Sequence, residues 1–186
     1  YNNTAGSFYD VPPVMLSEVV TGQYPAYRFH AYTRSGTAFY LLNNEIGTAK
    51  FNAGLKLFAE RWSGKHPTPY DLLACFEDAA GENLKWFWQP WMNEIGYADL
   101  ALNVDKEKFA KQGKVIVKKI GRLPAPISLK ISYNDGSSEN ILQKASIWAT
   151  KNEVTIKVNN PKNVKSLILD YTLTPDAFPE NNTIQF

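Results

Sequence analysis

The period of the apolar residues changes once along this chain, near residue 98, and that change limits the folds open to it. Up to that point apolar residues recur every three to four positions, as on one side of a helix. Beyond it they alternate, with many β-branched residues, as in half-buried strands. Helices first and strands second is the order of an α+β chain, not of an interleaved α/β one. The expected division is therefore 1–98, a helical part, and 99–186, an antiparallel β-sandwich. With 186 residues there is enough chain for one large or two small cores.

Composition narrows the function classes. Hydrophobic residues are 44% and charged residues 20%, which is ordinary for a folded protein. A net charge of +2 gives no footprint for nucleic acid, and Lys118-Lys119 is the densest basic point. No apolar run reaches the length of a membrane span. The single cysteine, Cys75, forms no internal disulfide and is expected to be a small buried apolar residue. The chain opens Tyr-Asn-Asn-Thr without a methionine, as a processed product or an excised piece would.

Capping signals locate the helices. A short apolar helix is expected at Val14–Val20, after Pro12-Pro13. A long one runs from Ala26 to Ile46, with Phe29, Tyr32, Gly36, Phe39 and Leu42 on its stripe and Gly47 at its end. Thr48 caps the next, where Phe51, Leu55, Phe58 and Trp62 form the stripe before Ser63-Gly64. Thr68-Pro69-Tyr70-Asp71 joins a hydroxyl cap, a proline at the first helical position and an acid at the third. That helix faces inward through Leu72, Leu73, Phe76 and Ala79 and stops at Gly81. Asn83 opens the last, with Leu84, Phe87, Trp88, Trp91 and Ile95 on one side, a kink at Pro90 and a stop at Gly96. Aromatics at that spacing form a packed stripe rather than a carbohydrate platform.

Seven strands are expected in the second part: Leu100–Val104, Lys114–Ile120, Ile127–Tyr133, Ser138–Gln143, Ser146–Thr150, Glu153–Val158 and Ser166–Leu169. Asn134-Asp135-Gly136 and Lys151-Asn152 mark turns, and Asp105–Lys111 reads as a polar insertion.

Chemistry-bearing motifs are few. The two histidines, His30 and His66, have no partner one turn away, so the chain alone offers no zinc-hydrolase ligand set. His30 is placed on a helix flank and His66 in a turn. Glu77-Asp78 reads as a solvated helix face. Asn2-Asn3-Thr4 and Asn181-Asn182-Thr183 match the N-glycosylation sequon. No phosphate-binding loop, dinucleotide fingerprint or nucleophile elbow occurs.

One resemblance covers residues 26–96. Tyr32, Arg34, Leu41-Leu42, Ile46-Gly47, Phe51, Trp62, His66-Pro67-Thr68-Pro69, Asp71, Gly81, Leu84, Trp86-Phe87, Trp91 and Gly96 follow one another in a familiar order. In that order they resemble the end of the catalytic domain of aminopeptidase-N-like zinc metallopeptidases, the gluzincins of clan MA. The run Leu123 to Gly136, with Leu169-Asp170, is similar to the small sandwich that follows it in many members. The resemblance implies a zinc-dependent aminopeptidase acting on amino-terminal peptide bonds. The family's H-E-x-x-H motif, its further glutamate ligand and its general base are absent from this chain, which on that reading binds no zinc and is inactive by itself. Its partners are then the peptide substrate and the upstream part of the same protein. One role carries over. Tyr32 matches the family's tyrosine that donates a hydrogen bond to the oxyanion, with Arg34 in place of the usual lysine. Tyr27 lines the same site on this reading. An exported or periplasmic home follows from the resemblance alone. The rival reading is a non-catalytic scaffold or binding module. On residue pattern alone, Tyr32 would be a core residue of its helix stripe.

Overall fold

The computed structural model of the chain describes residues 1, 4–6, 27–170 and 174–186. The expected helix at Val14–Val20 and the sequon asparagine at position 2 lie outside them. The chain divides into two compact units, Asp10–Ile95 and Gly96–Phe186 with Tyr1–Tyr9. Helices fill the described part of the first and two antiparallel sheets the second, so the fold is α+β.

In the helical unit a π-helical stretch, Phe29–Arg34, runs into α1, Ser35–Ile46. Then follow α2, Thr48–Trp62, and α3, Pro69–Ala80. A single α turn, α4, Lys85–Trp88, continues as a second π stretch, Gln89–Asn93. The start of α3 follows its sequence signal. Thr68 donates from both its N–H and its hydroxyl to Asp71 Oδ2, each at 2.7 Å. Gly81, left-handed, ends the helix. Glu77 lies off the solvated face assigned to it: its Oε1 accepts the Leu84 N–H at 2.9 Å and ties α3 to the next turn. Asp78 does face solvent, paired with Arg61. Proline at position 90 removes one N–H of the α ladder, and the chain takes the wider π turn there.

Phe76 is fully buried at the centre of the aromatic core. Phe39, Phe51 and Trp88 surround it, with ring centroids 6.0, 5.0 and 5.9 Å away. Trp91 and Phe87 are also fully buried, so the tryptophan cluster is core. Cys75 is buried as expected. Two stripes differ from the sequence reading. Leu55 and Ile95 are exposed, and Gly54 is the buried position of α2. In α1 the buried set is Ala38, Leu41, Leu42 and Ile46, preceded by Arg34 rather than Tyr32.

The second unit holds sheets ordered β1-β2-β5 and β4-β3-β6-β7. Their strands are β1, Leu100–Asn103, β2, Lys114–Lys119, β3, Ile127–Tyr133, β4, Ser138–Gln143, β5, Glu153–Lys157, β6, Val164–Leu169, and β7, Thr183–Gln185. Alternate residues of both sheets, such as Val115, Val117, Leu129, Ile131, Ile156 and Leu167, meet in one core. Asn134-Asp135-Gly136 makes the β3–β4 hairpin turn, with Tyr133 N–H donating to Ser137 O at 2.9 Å. Two expectations are corrected. Ser146–Thr150 is not a strand: Ala145–Trp148 is a 3₁₀ turn, which lets the buried Trp148 donate its indole N–H to Ala125 O at 2.7 Å. The supposed insertion contains a helix, α5, Lys106–Gln112, which buries Phe109. Asp105 caps it through the Lys108 N–H, and left-handed Gly113 ends it where any Cβ would strike Val158 O. No helix among the described residues is long and apolar enough to cross a membrane.

Candidate functional site

Tyr32 and Arg34 lie on the first π stretch, and Tyr27 lies two residues before it. In a regular α-helix, positions five apart lie roughly 140° apart around the axis. The wider π winding brings them to the same side. Tyr27 and Tyr32 accordingly touch edge to face, with centroids 5.9 Å apart. Tyr32 is 65% exposed, so its place is not the core that a helix stripe implied. The local sequence supports the winding. Ser35 Oγ donates back to His30 O, five residues earlier, at 3.0 Å, and Thr37 Oγ1 to Thr33 O at 2.8 Å.

Arg34 is the residue whose environment the sequence hid. It is fully buried, an unusual place for a guanidinium unless its N–H groups find acceptors. Nε donates to Trp91 O at 2.9 Å, and Nη2 donates to Pro90 O at 3.0 Å and to Glu94 O at 2.6 Å. Those are carbonyls at the end of the last helix, where the ladder stops and the helix dipole is negative. His30, placed on a helix flank, is also buried, against Phe29 with centroids 5.0 Å apart. His66 stands exposed in the turn before α3. Among the described residues no group of three or more His, Cys, Asp or Glu side chains could hold a metal ion. The described residues alone therefore do not fit a zinc centre.

A cleft of about 420 Å³ lies elsewhere in the helical unit, between α3 and the last helix. Tyr70, Glu77, Asn83, Lys85, Trp88 and Asn93 are among its walls, and Asn93 Nδ2 donates to Tyr70 Oη at 3.0 Å. Neither Tyr27 nor Tyr32 lines it.

Shifted carboxyls cluster in the other unit. Burial pushes Asp99 and Asp176 up from the ordinary carboxylate range. Asp176 Oδ2 accepts from Leu100 N at 3.0 Å and Oδ1 from Phe178 N at 3.0 Å, while Asp99 Oδ1 accepts from Asn181 Nδ2 at 3.3 Å. These bonds tie backbone segments together, and they engage the amide nitrogen of the second sequon's asparagine. Burial also raises the Tyr133 phenol to about 12, helped by Glu139, whose Oε1 accepts its hydroxyl at 2.6 Å. For Asp99 the sign of the pH effect follows. Its folded state holds a proton at pH values where the unfolded chain has lost it, so stability from this group rises as pH falls through that window. The difference in melting temperature between the native chain and Asp99→Asn is expected to move in favour of the native chain on going from pH 7 toward the ordinary carboxylate range. A pH-independent difference would contradict the assignment.

No family model matches the chain. It is 25% identical over 152 residues to glutamyl aminopeptidase of Bos taurus, an alignment that covers 82% of this chain and 15% of that protein. Its fold matches a crystal structure of Legionella pneumophila aminopeptidase A in complex with aspartic acid, with a TM-score of 0.54 and 17% identity over 75% of this chain and 16% of that one. The chain thus spans about a sixth of the length of these proteins. The chain is thus similar in sequence to part of one aminopeptidase and in fold to part of another.

Proposed function

We propose that the complete protein is a zinc-dependent aminopeptidase, and that this chain supplies Tyr32 to a site whose metal ligands and general base lie outside it. The observation that carries the reading is the exposed Tyr32 on a π turn, beside Tyr27. A phenolic O–H donates a hydrogen bond without changing charge. Held on a fixed turn, it suits an oxygen that becomes negative only as a peptide carbonyl turns tetrahedral. Tyr27 packs against the Tyr32 ring and limits its rotation. Zinc, when bound by the rest of the protein, supplies Lewis-acid chemistry. The second unit's two sheets, which share one core, support its reading as a small sandwich.

The test compares the complete protein with residues 1–186 alone. The complete protein should release the chromophore from an aminoacyl anilide and carry zinc by elemental analysis. The isolated chain should do neither. Zinc and turnover in the isolated chain would overturn the division of labour. A complete protein that folds but cleaves nothing would point to a peptidase-like scaffold.

A further inference from the structure

We infer that Arg34 is a positioning residue, which holds the π turn so that Tyr32 points where its hydroxyl is needed. The inference rests on the proposed role of Tyr32. Arg34 closes the π stretch two residues after Tyr32. Its side chain runs inward while the phenol runs outward, one fully buried and the other largely exposed. The carbonyls of Pro90, Trp91 and Glu94, which it holds, lie 56 to 60 residues further along the chain. Pro90 and Trp91 belong to the second π stretch. One guanidinium therefore clamps two irregular helical turns to each other.

The guanidinium is suited to this. Its planar fork presents several N–H groups at fixed angles, and its charge sits at the negative end of a helix. A single turn of helix without such an anchor frays easily, because its last carbonyls have no partner of their own. Tyr32 needs the opposite: a hydroxyl displaced by about 1 Å loses much of its value to a transition state.

A merely structural arginine and a positioning one differ in a double-mutant cycle on the complete protein. Arg34→Gln keeps a short donor and removes the fork and the charge. It should lower kcat on an aminoacyl anilide by about tenfold, with KM changed less than about twofold. Arg34→Lys, which restores the charge, should recover part of that loss. In a Tyr32→Phe background, Arg34→Gln should have almost no further effect on kcat, because no hydroxyl remains to be aimed. An equal loss in both backgrounds would overturn the inference and leave Arg34 a stabilising residue only. If Arg34→Gln fails to fold, the cycle is run with Arg34→Lys; failure of both to fold would likewise overturn it. A Tyr32→Phe protein with native turnover would instead refute the role of Tyr32, whatever Arg34 does.

Discussion

Given the role proposed for Tyr32, Tyr32→Phe is expected to lower the turnover number of the complete protein about 100-fold, with zinc content unchanged. The change removes one oxygen and leaves the ring. Tyr32 is largely exposed, and its described ring contact is with Tyr27, an edge-to-face packing that phenylalanine keeps. Stability should therefore move by less than about 0.5 kcal/mol, as for ordinary surface substitutions. A hydrogen bond made only as the oxyanion develops appears in kcat rather than in substrate affinity, so KM should stay within about threefold. The companion change Tyr27→Phe, if Tyr27 only braces the ring, leaves the rate near native. Steady-state kinetics on purified variants, beside elemental analysis, read all three quantities.

Gly54→Leu destabilises the helical unit by roughly 3 kcal/mol. The usual expectation has the opposite sign, since glycine inside a helix is about 1 kcal/mol worse than alanine. Packing reverses it here. A Cβ at position 54 would lie 2.5 Å from Phe76 Cδ1, 3.0 Å from its Cε1 and 3.2 Å from its Cα. The last of these is backbone, so α2 and α3 themselves would have to part. Phe76 cannot yield either, because Phe39, Phe51 and Trp88 hold its ring. Even Gly54→Ala should therefore destabilise, by about 1 kcal/mol, the overpacking exceeding the gain in helix propensity. Urea unfolding followed by tryptophan fluorescence measures it. An alanine variant more stable than the native chain would show that the two helices do not need this close approach.

Local signals in the sequence placed the start and stop of α3 and the β3–β4 turn. Thr48, expected as a cap, is instead the first residue of α2 behind Gly47, and the last helix ends at Asn93, before its expected stop at Gly96. Thr68, Pro69 and Asp71 act only on their own turn, and so do Gly81 and Asn134-Asp135-Gly136. What needed long-range knowledge was misplaced. Arg34 counts as a surface residue in any apolar pattern, and its acceptors are backbone carbonyls that no side-chain pattern displays. The π winding then moved the stripe, so Tyr32 left the core that a period of 3.6 assigned to it. Ser146–Thr150 alternates like a strand, but burying the indole of Trp148 and bonding its N–H required a tight turn. Helix α5 was legible in principle: Asp105 and Gly113 are its cap and its stop, with Phe109 as its one buried anchor. Strand β7, three residues long, pairs with β6 in a register that its own residues do not announce.

Binding of a tetrahedral peptide analogue tests the role of Tyr32 more directly than any rate. A phosphinate dipeptide is tetrahedral and places a negatively charged oxygen where the oxyanion would form, whereas a substrate's carbonyl oxygen is neutral and its carbon planar. The inhibition constant of such an analogue is compared in the complete protein and in its Tyr32→Phe variant, beside KM for an aminoacyl anilide. The account predicts analogue binding weakened by about 100-fold with KM nearly unchanged. Equal analogue affinity in the two proteins would contradict it.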